Sequence, residues 1–115
     1  MVNNKVGREG PKQPTEFQQK IFNAIASIPE GEVTTYGHIA RAIGRPNMAR
    51  YLTGMVSKHP HAHMLPWHRV VYSDGRVWSK GAAMEQERIQ LFKHEGVHVE
   101  NGKIVDFHDI LYTFE

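Results

Sequence analysis

Apolar residues recur at helical spacing in three stretches of the chain. Phe17, Ile21, Ala24, Ile25 and Ile28 form one stripe, Tyr36, Ile39, Ala40 and Ile43 a second, and Met48, Leu52, Met55 and Val56 a third. This period brings one face of a helix into a core. The stop signals agree with the stripes. Thr15 with Gln18 three residues on makes a capping box, and Pro29 with Gly31 ends the first run. Thr34 or Thr35 can cap the second helix, and Gly44 suits the left-handed position just past its end. Arg45-Pro46-Asn47 then turns the chain, with Asn47 placed to cap the third helix. Two short helices so close in sequence predict a helix-turn-helix.

After Pro60 the pattern changes. Val70-Val71-Tyr72, the turn Ser73-Asp74-Gly75 and Arg76-Val77-Trp78 read as a short hairpin, and a fourth helix is expected over about residues 83–94, ended by Gly96. Val97-His98-Val99 and Lys103-Ile104-Val105 flank Glu100-Asn101-Gly102, where Asn-Gly is a strong hairpin-turn signal. Residues 1–14 carry Gly, Pro, Asn and charge without apolar periodicity and read as a mobile tail. Residues 15–115 read as a single domain, because a chain this short buries one core. The expected fold is mainly α with short β-hairpins.

The 115 residues include no cysteine, which removes disulfides, thiolate nucleophiles and thiolate metal sites together. Without a signal-peptide pattern or a run of about 18 apolar residues, neither secretion nor a membrane span is expected, leaving the cytoplasm as the expected compartment. Net charge is +2 but unevenly placed. Residues 41–80 hold Arg41, Arg45, Arg50, Lys58, Arg69, Arg76 and Lys80 against Asp74 alone, whereas residues 81–115 are acidic. A basic middle fits an anionic partner such as nucleic acid, although a charge run by itself is more often a solvated face. His59, His61, His63 and His68 crowd into ten residues, a density that can bind zinc or nickel. No Cys, Asp or Glu stands among them to complete a shell, so no metal or other cofactor is expected.

Arg50 and Gly54 fall on the side of the third helix opposite its apolar stripe. Glycine inside a helix costs about 1 kcal/mol relative to alanine, so Gly54 needs a reason. Close approach of a sugar-phosphate backbone is one; a tight helix crossing within the fold is the other.

The motifs together resemble the DNA-binding, active-site domain of the O6-alkylguanine-DNA alkyltransferases. The resemblance rests on Ile28-Pro29-x-Gly31-x-Val33-x-Thr35-Tyr36-Gly37-x-Ile39-Ala40, Ala49-Arg50, Pro66-x-His68-Arg69-Val70-Val71, Asp74-Gly75 and His94-Glu95-Gly96, and it covers roughly residues 15–96. It implies a winged-helix-like helix-turn-helix domain of the alkyltransferase C-terminal type. In those enzymes a Pro-Cys-His-Arg-Val motif supplies the acceptor thiol. Here the motif is Pro66-Trp67-His68-Arg69-Val70, the form found in alkyltransferase-like proteins, relatives without transfer activity. An indole lacks the soft, ionisable lone pair that displacement at an alkyl carbon requires.

The resemblance therefore implies a non-enzymatic protein that binds double-stranded DNA through the minor groove. It would flip O6-alkylguanine into a pocket and mark it for nucleotide excision repair proteins, acting as a monomer. Tyr36, Arg50, Thr35 and Gly54 are the expected DNA-binding and base-flipping residues. Arg50 is the finger that fills the vacated stack; Tyr36 crowds the flanking phosphate, although periodicity also places it in the core. Trp67, Val70, His68, Glu95, Trp78, Ser79 and Lys80 are the expected pocket residues. The carbonyls of Trp67 and Val70 would meet the guanine amino group, and Arg69 would brace the motif's turn. Trp67 read alone, an indole after a proline, is usually a core residue; placed in this motif it reads as a pocket wall. Residues 77–81 depart from the family's Tyr-Ser-Gly-Gly wall, and His59-Pro60 replaces its Asn-Pro. Two alternatives stay open: a sequence-specific helix-turn-helix regulator, and a weak alkyltransferase using a non-cysteine acceptor such as His68 or Glu95.

Overall fold

The computed structural model describes the backbone of residues 15–58 and 65–114, with side chains omitted at 55–58. The expected tail at 1–14 and His59, His61 and His63 lie outside the described residues. Thr15 caps α1 (Glu16–Ala26) with both halves of the capping box formed: the Gln18 amide donates to Thr15 Oγ1 at 3.0 Å, and the Thr15 amide to Gln18 Oε1 at 3.1 Å. The helix stops at Ala26, short of Ile28, which is buried beyond its end. Thr35 caps α2 (Tyr36–Ala42), its Oγ1 accepting from the His38 amide at 3.0 Å, and Gly44 follows with φ +79°. That value lies in the left-handed region where side chains are strained.

The start of the third helix differs from expectation. Pro46–Met48 form a 3-10 turn before α3 (Ala49–Lys58) begins. Asn47 is therefore inside the turn and exposed rather than capping the helix. Proline's fixed φ starts such a turn without needing an amide donor. α4 (Ala82–His94) begins one residue earlier than expected and is followed by Gly96 at φ +79°.

The short strands pair side by side through two ladders and isolated bridges. β1 (Thr34–Thr35) pairs in parallel with β2 (Val70–Val71), Thr34 opposite Val70 and Thr35 opposite Val71. On its other side Val33 bridges Leu111, with the Val33 amide donating to Ile110 O and the Tyr112 amide to Val33 O. Val71 bridges Val77, giving the first expected hairpin as a single antiparallel contact closed by Gly75 at φ +87°. Arg76 bridges Lys103, which connects that hairpin to β3 (Val99–Glu100) and β4 (Lys103–Ile104). Asn101 (φ +52°) and Gly102 (φ +77°) make the second turn, the double positive φ that Asn-Gly favours.

This ribbon divides the interior, because successive strand side chains point to opposite sides. Val70 joins Ile21, Ile25, Ile28, Tyr36, Ile39, Ala40, Leu52, Trp67 and Trp78 in a first core. Val71 joins Val33, Phe92, Val97, Ile104 and Phe107 in a second. Among the described residues no helix is long and apolar enough to cross a membrane. Replacing Thr15 by Ala should remove the α1 cap at a cost of about 1 kcal/mol. Urea unfolding should show this as a lower midpoint with an unchanged slope.

Candidate nucleic-acid interface

The α2–α3 pair opens onto a cavity of about 450 Å³ lined by Tyr36, Gly37, Ala49, Arg50, Thr53, Tyr72 and Ser73. The fold thus brings Tyr36 and Arg50 to one cleft. Arg50 is exposed on the first turn of α3, and Tyr36 starts α2 with its ring 5.8 Å from that of Tyr72. The Tyr36 side chain is buried, and its hydroxyl has no hydrogen-bond partner among the described residues. Burial holds the phenol protonated far above its ordinary range, an effect that nearby Arg88 only partly offsets. The group is therefore a proton donor without an acceptor, a state that costs about 1–3 kcal/mol in a folded protein.

Gly54 lies on the exposed side of α3, and a Cβ added to it would meet nothing within 4 Å. A tight helix crossing among the described residues is therefore not its reason; the face is open to an outside backbone. Thr35 is placed differently from the DNA-contacting position expected for it. It is buried, and its hydroxyl both caps α2 and lies 2.6 Å from His38 Nδ1, so it supports Tyr36 from within.

The expected pocket residues divide into three groups. Trp67, Val70 and Trp78 share the first core with Tyr36, and the Trp67 indole meets Phe22 edge-on at 6.2 Å. His68 and Glu95 pair at 2.7 Å, while the His68 ring packs 5.3 Å from Phe92 of the second core. Ser79 is half-buried and Lys80 exposed in the irregular segment before α4.

Arg88, on α4, was not among the residues singled out from sequence. It is only 8% exposed, donates through Nη1 to the Trp67 carbonyl at 3.1 Å, and lies 5.3 Å over the Trp78 ring. No carboxylate among the described residues pairs with it. The Trp67 carbonyl also accepts from the Val70 amide, so the acceptor expected to meet guanine already has two donors. A usable signal existed: Met84, Arg88 and Phe92 lie at i, i+4 and i+8, which puts an arginine on an inward stripe.

Glu95 ties these parts together. It accepts from His68 Nε2, from Arg69 Nε and Nη2, and from the Gly31 amide at 3.1 Å. Arg69 also donates through Nη1 to Ile28 O at 2.8 Å, bracing the motif as its position suggested.

Residues 16–97 match the family model of the 6-O-methylguanine DNA methyltransferase DNA-binding domain. The chain belongs to that family. It is 37% identical over 98 residues to the DNA base-flipping protein of Escherichia coli K12, spanning 85% of this chain and 75% of that one. It is 41% identical over 86 residues to alkyltransferase-like protein 1 of Schizosaccharomyces pombe, spanning 73% and 79%. The crystal structure of S. pombe Atl1 in complex with damaged DNA containing O6-carboxymethylguanine superposes with a TM-score of 0.73 at 35% identity, covering 86% of this chain and 96% of that one. Mycobacterium tuberculosis OGT in complex with DNA gives 0.63 at 34% identity, and the match covers 73% of this chain but about half, 51%, of that protein. The helix-turn-helix DNA-binding fold and the alkyltransferase-like kinship implied by the sequence motifs are thus in place.

Within this family domain the Glu95 cluster has a definite charge state. Burial pushes the His68 imidazole below its ordinary 6.5, more than the hydrogen bond to Glu95 lifts it. Burial alone would raise Glu95, but donors from Arg69, His68 and Gly31 bring it below its ordinary 4.5. Near neutral pH the pair is therefore a neutral imidazole donating Nε2–H to a carboxylate. Both groups bind protons less readily folded than unfolded, so their stabilisation is complete above about pH 6.5 and falls as pH drops. Unfolding free energy should decline below about 6.5 as His68 becomes protonatable in the unfolded chain, and again below 4.5. The variant Glu95→Gln should lose about 3 kcal/mol at neutral pH, leaving Arg69 without its counter-charge. Denaturant titrations across pH 4–8 check both; a flat profile would exclude this electrostatic account.

Proposed function

We propose that this protein binds duplex DNA containing O6-alkylguanine, turns the damaged nucleotide out of the stack and holds it without accepting the alkyl group. The observation that carries this reading is the cleft shared by Tyr36 and Arg50, with a buried Tyr36 hydroxyl that lacks an acceptor among the described residues. A base modified at O6 cannot be inspected within the helix, and its weakened pairing lowers the cost of extrusion. The open face at Gly54 admits a sugar-phosphate backbone in the minor groove. From there Arg50 fills the vacated space, while Tyr36 crowds the flanking phosphate and supplies its unused donor to the rotated nucleotide.

The Trp67 indole, with Val70 and Trp78 beside it in the first core, becomes the flat apolar wall of the lesion pocket once that core opens to admit the base, with Ser79 and Lys80 at its rim. His68 and Glu95 keep the motif in position. For the guanine amino group to reach the Trp67 carbonyl, Arg88 has to yield its hydrogen bond. The relatives named as base-flipping and alkyltransferase-like proteins support recognition, as does the complex of S. pombe Atl1 with O6-carboxymethylguanine DNA. The lack of any cysteine in the 115 residues supports recognition without transfer. The protein acts as a monomer, without cofactor, and its long-lived complex marks the lesion for nucleotide excision repair proteins.

At one fixed salt concentration, a duplex with a single O6-methylguanine should bind more tightly than its unmodified control. Arg50→Ala should remove on the order of 1–3 kcal/mol of that preference. Intact-protein mass spectrometry after incubation should show no added methyl. Equal binding of both duplexes refutes lesion recognition, and a stable mass gain refutes non-transfer. Tyr36→Phe separates function from folding: deleting an unpartnered hydroxyl should leave the free protein at least as stable in thermal unfolding while weakening lesion binding. A destabilised Tyr36→Phe protein with unchanged affinity would assign the hydroxyl to the fold instead.

A further inference from the structure

Beside the Arg50–Gly54 face, α3 carries a second exposed feature. Tyr51 follows the finger directly and is 43% exposed. Its ring lies 5.7 Å from that of Phe17 on α1, inclined at 41°. The Arg45 guanidinium, from the turn between α2 and α3, stands 5.4 Å over the same Phe17 ring. Three elements thus contribute one side chain each to a cation–aromatic stack on the surface. Packing on half-buried Phe17 fixes the Tyr51 ring, so little conformational entropy is left to lose on binding. Arg41, Arg45 and Arg50 are all exposed and none forms a salt bridge among the described residues, while Glu16 is the acid nearest in sequence to Phe17.

We propose that the Tyr51–Phe17–Arg45 stack is a second DNA-contact surface, which seats the sugar-phosphate backbone of the duplex flanking the lesion. This rests on the DNA-binding reading given above. Residues three apart on a helix are neighbours, so Tyr51 is continuous with Gly54 and the minor-groove face of α3. A ring with a hydroxyl edge suits a deoxyribose beside a phosphate, and the unpaired Arg45 supplies the counter-charge. Such a contact is blind to the base and adds the same increment to damaged and undamaged DNA.

Binding of Tyr51→Ala and Arg45→Ala to matched duplexes, with and without O6-methylguanine, tests this over a range of salt concentrations. Each variant should weaken both duplexes by one common factor, on the order of threefold to tenfold, and leave their ratio unchanged. Arg45→Ala should also reduce the salt slope by about 0.9, one lost phosphate contact. Tyr51→Phe should keep most of the affinity that Tyr51→Ala loses. Shortening the duplex on one side should abolish the difference between wild type and Tyr51→Ala. Arg45→Ala leaves the Phe17–Tyr51 contact in place, so it reads the surface even if Tyr51→Ala is poorly folded in a thermal melt. Unchanged affinity for both duplexes overturns the proposal and leaves the patch to a protein partner. A fall confined to the damaged duplex also overturns it, by assigning these residues to the lesion pocket. If wild type binds both duplexes equally, lesion recognition fails while the salt slope still reports on the flanking contact.

Discussion

Three separate parts of the chain meet at the carboxylate of Glu95. Its donors come from the loop after α1 through Gly31, from the motif through His68 and Arg69, and Arg69 reaches back to the Ile28 carbonyl. With only 9% of the Glu95 side chain exposed, the charge would be costly if any of these donors were missing. Satisfied on both oxygens, it fixes the motif against the end of α1. That fixes the parallel register of β1 and β2, which leads Val70 into the first core and Val71 into the second. Tyr36 follows β1 directly and Trp67 lies three residues before Val70, so the same clamp sets the spacing between the cleft and the motif.

The Glu95 cluster braces the fold whether or not a covalent step takes place beside it. With Nε2–H donated to Glu95, the neutral His68 ring keeps Nδ1 as its free-lone-pair nitrogen, yet the 115 residues hold no thiol for it to serve. On the proposed reading, loss of the covalent step changes what the rest of the protein has to supply. A transferase ends each encounter by forming a bond, whereas a sensor must persist by non-covalent energy alone. Unspent groups in the free protein then become intelligible: the Tyr36 donor without an acceptor and the helical Gly54 with open space around it, both among the described residues, and the exposed Arg50. The helical glycine and the unpartnered hydroxyl each cost the free fold stability, and on that reading DNA supplies what they lack.

Features legible in the sequence are those whose causes are local. Thr15 with Gln18, Gly44 and Gly96 mark helix ends through backbone conformations that act within four residues, and Asn101-Gly102 makes its turn alone. The pairing of Thr34 with Val70 was not legible, because a parallel contact across 36 residues leaves no periodic trace: Val70-Val71 read only as one arm of a local hairpin, and Thr34-Thr35 only as a helix cap. The bridge from Val33 to Leu111 has the same character. Asn47 misled for the opposite reason: its capping propensity is real, but Pro46 starts a turn one residue earlier. In the site, Tyr36 and Arg50 were found through motif likeness, and the fold puts both on one cleft. Arg88 was hidden because an arginine on an apolar stripe reads as an exposed residue until something buried is there to receive its donors.

Arg88 also limits how far the motif can be read as an alkyltransferase with one residue changed. Its guanidinium is held by the Trp67 carbonyl and by the Trp78 face, in the core that also holds Tyr36 and the Trp67 indole, which meets Phe22 edge-on. A cation stacked on an indole in a water-poor setting is stabilised by the ring's quadrupole, and one without a carboxylate partner depends on such neighbours. Removing the Trp67 side chain would open space beside Phe22 but leave Arg88 and Trp78 arranged around a carbonyl rather than around an alkyl group. The Glu95 cluster is rigid and shared with the fold, whereas Ser79 and Lys80 sit in an irregular segment ending at Gly81, with φ +149°. The segment from Ser79 to Gly81 can therefore change without disturbing the clamp on which the fold depends.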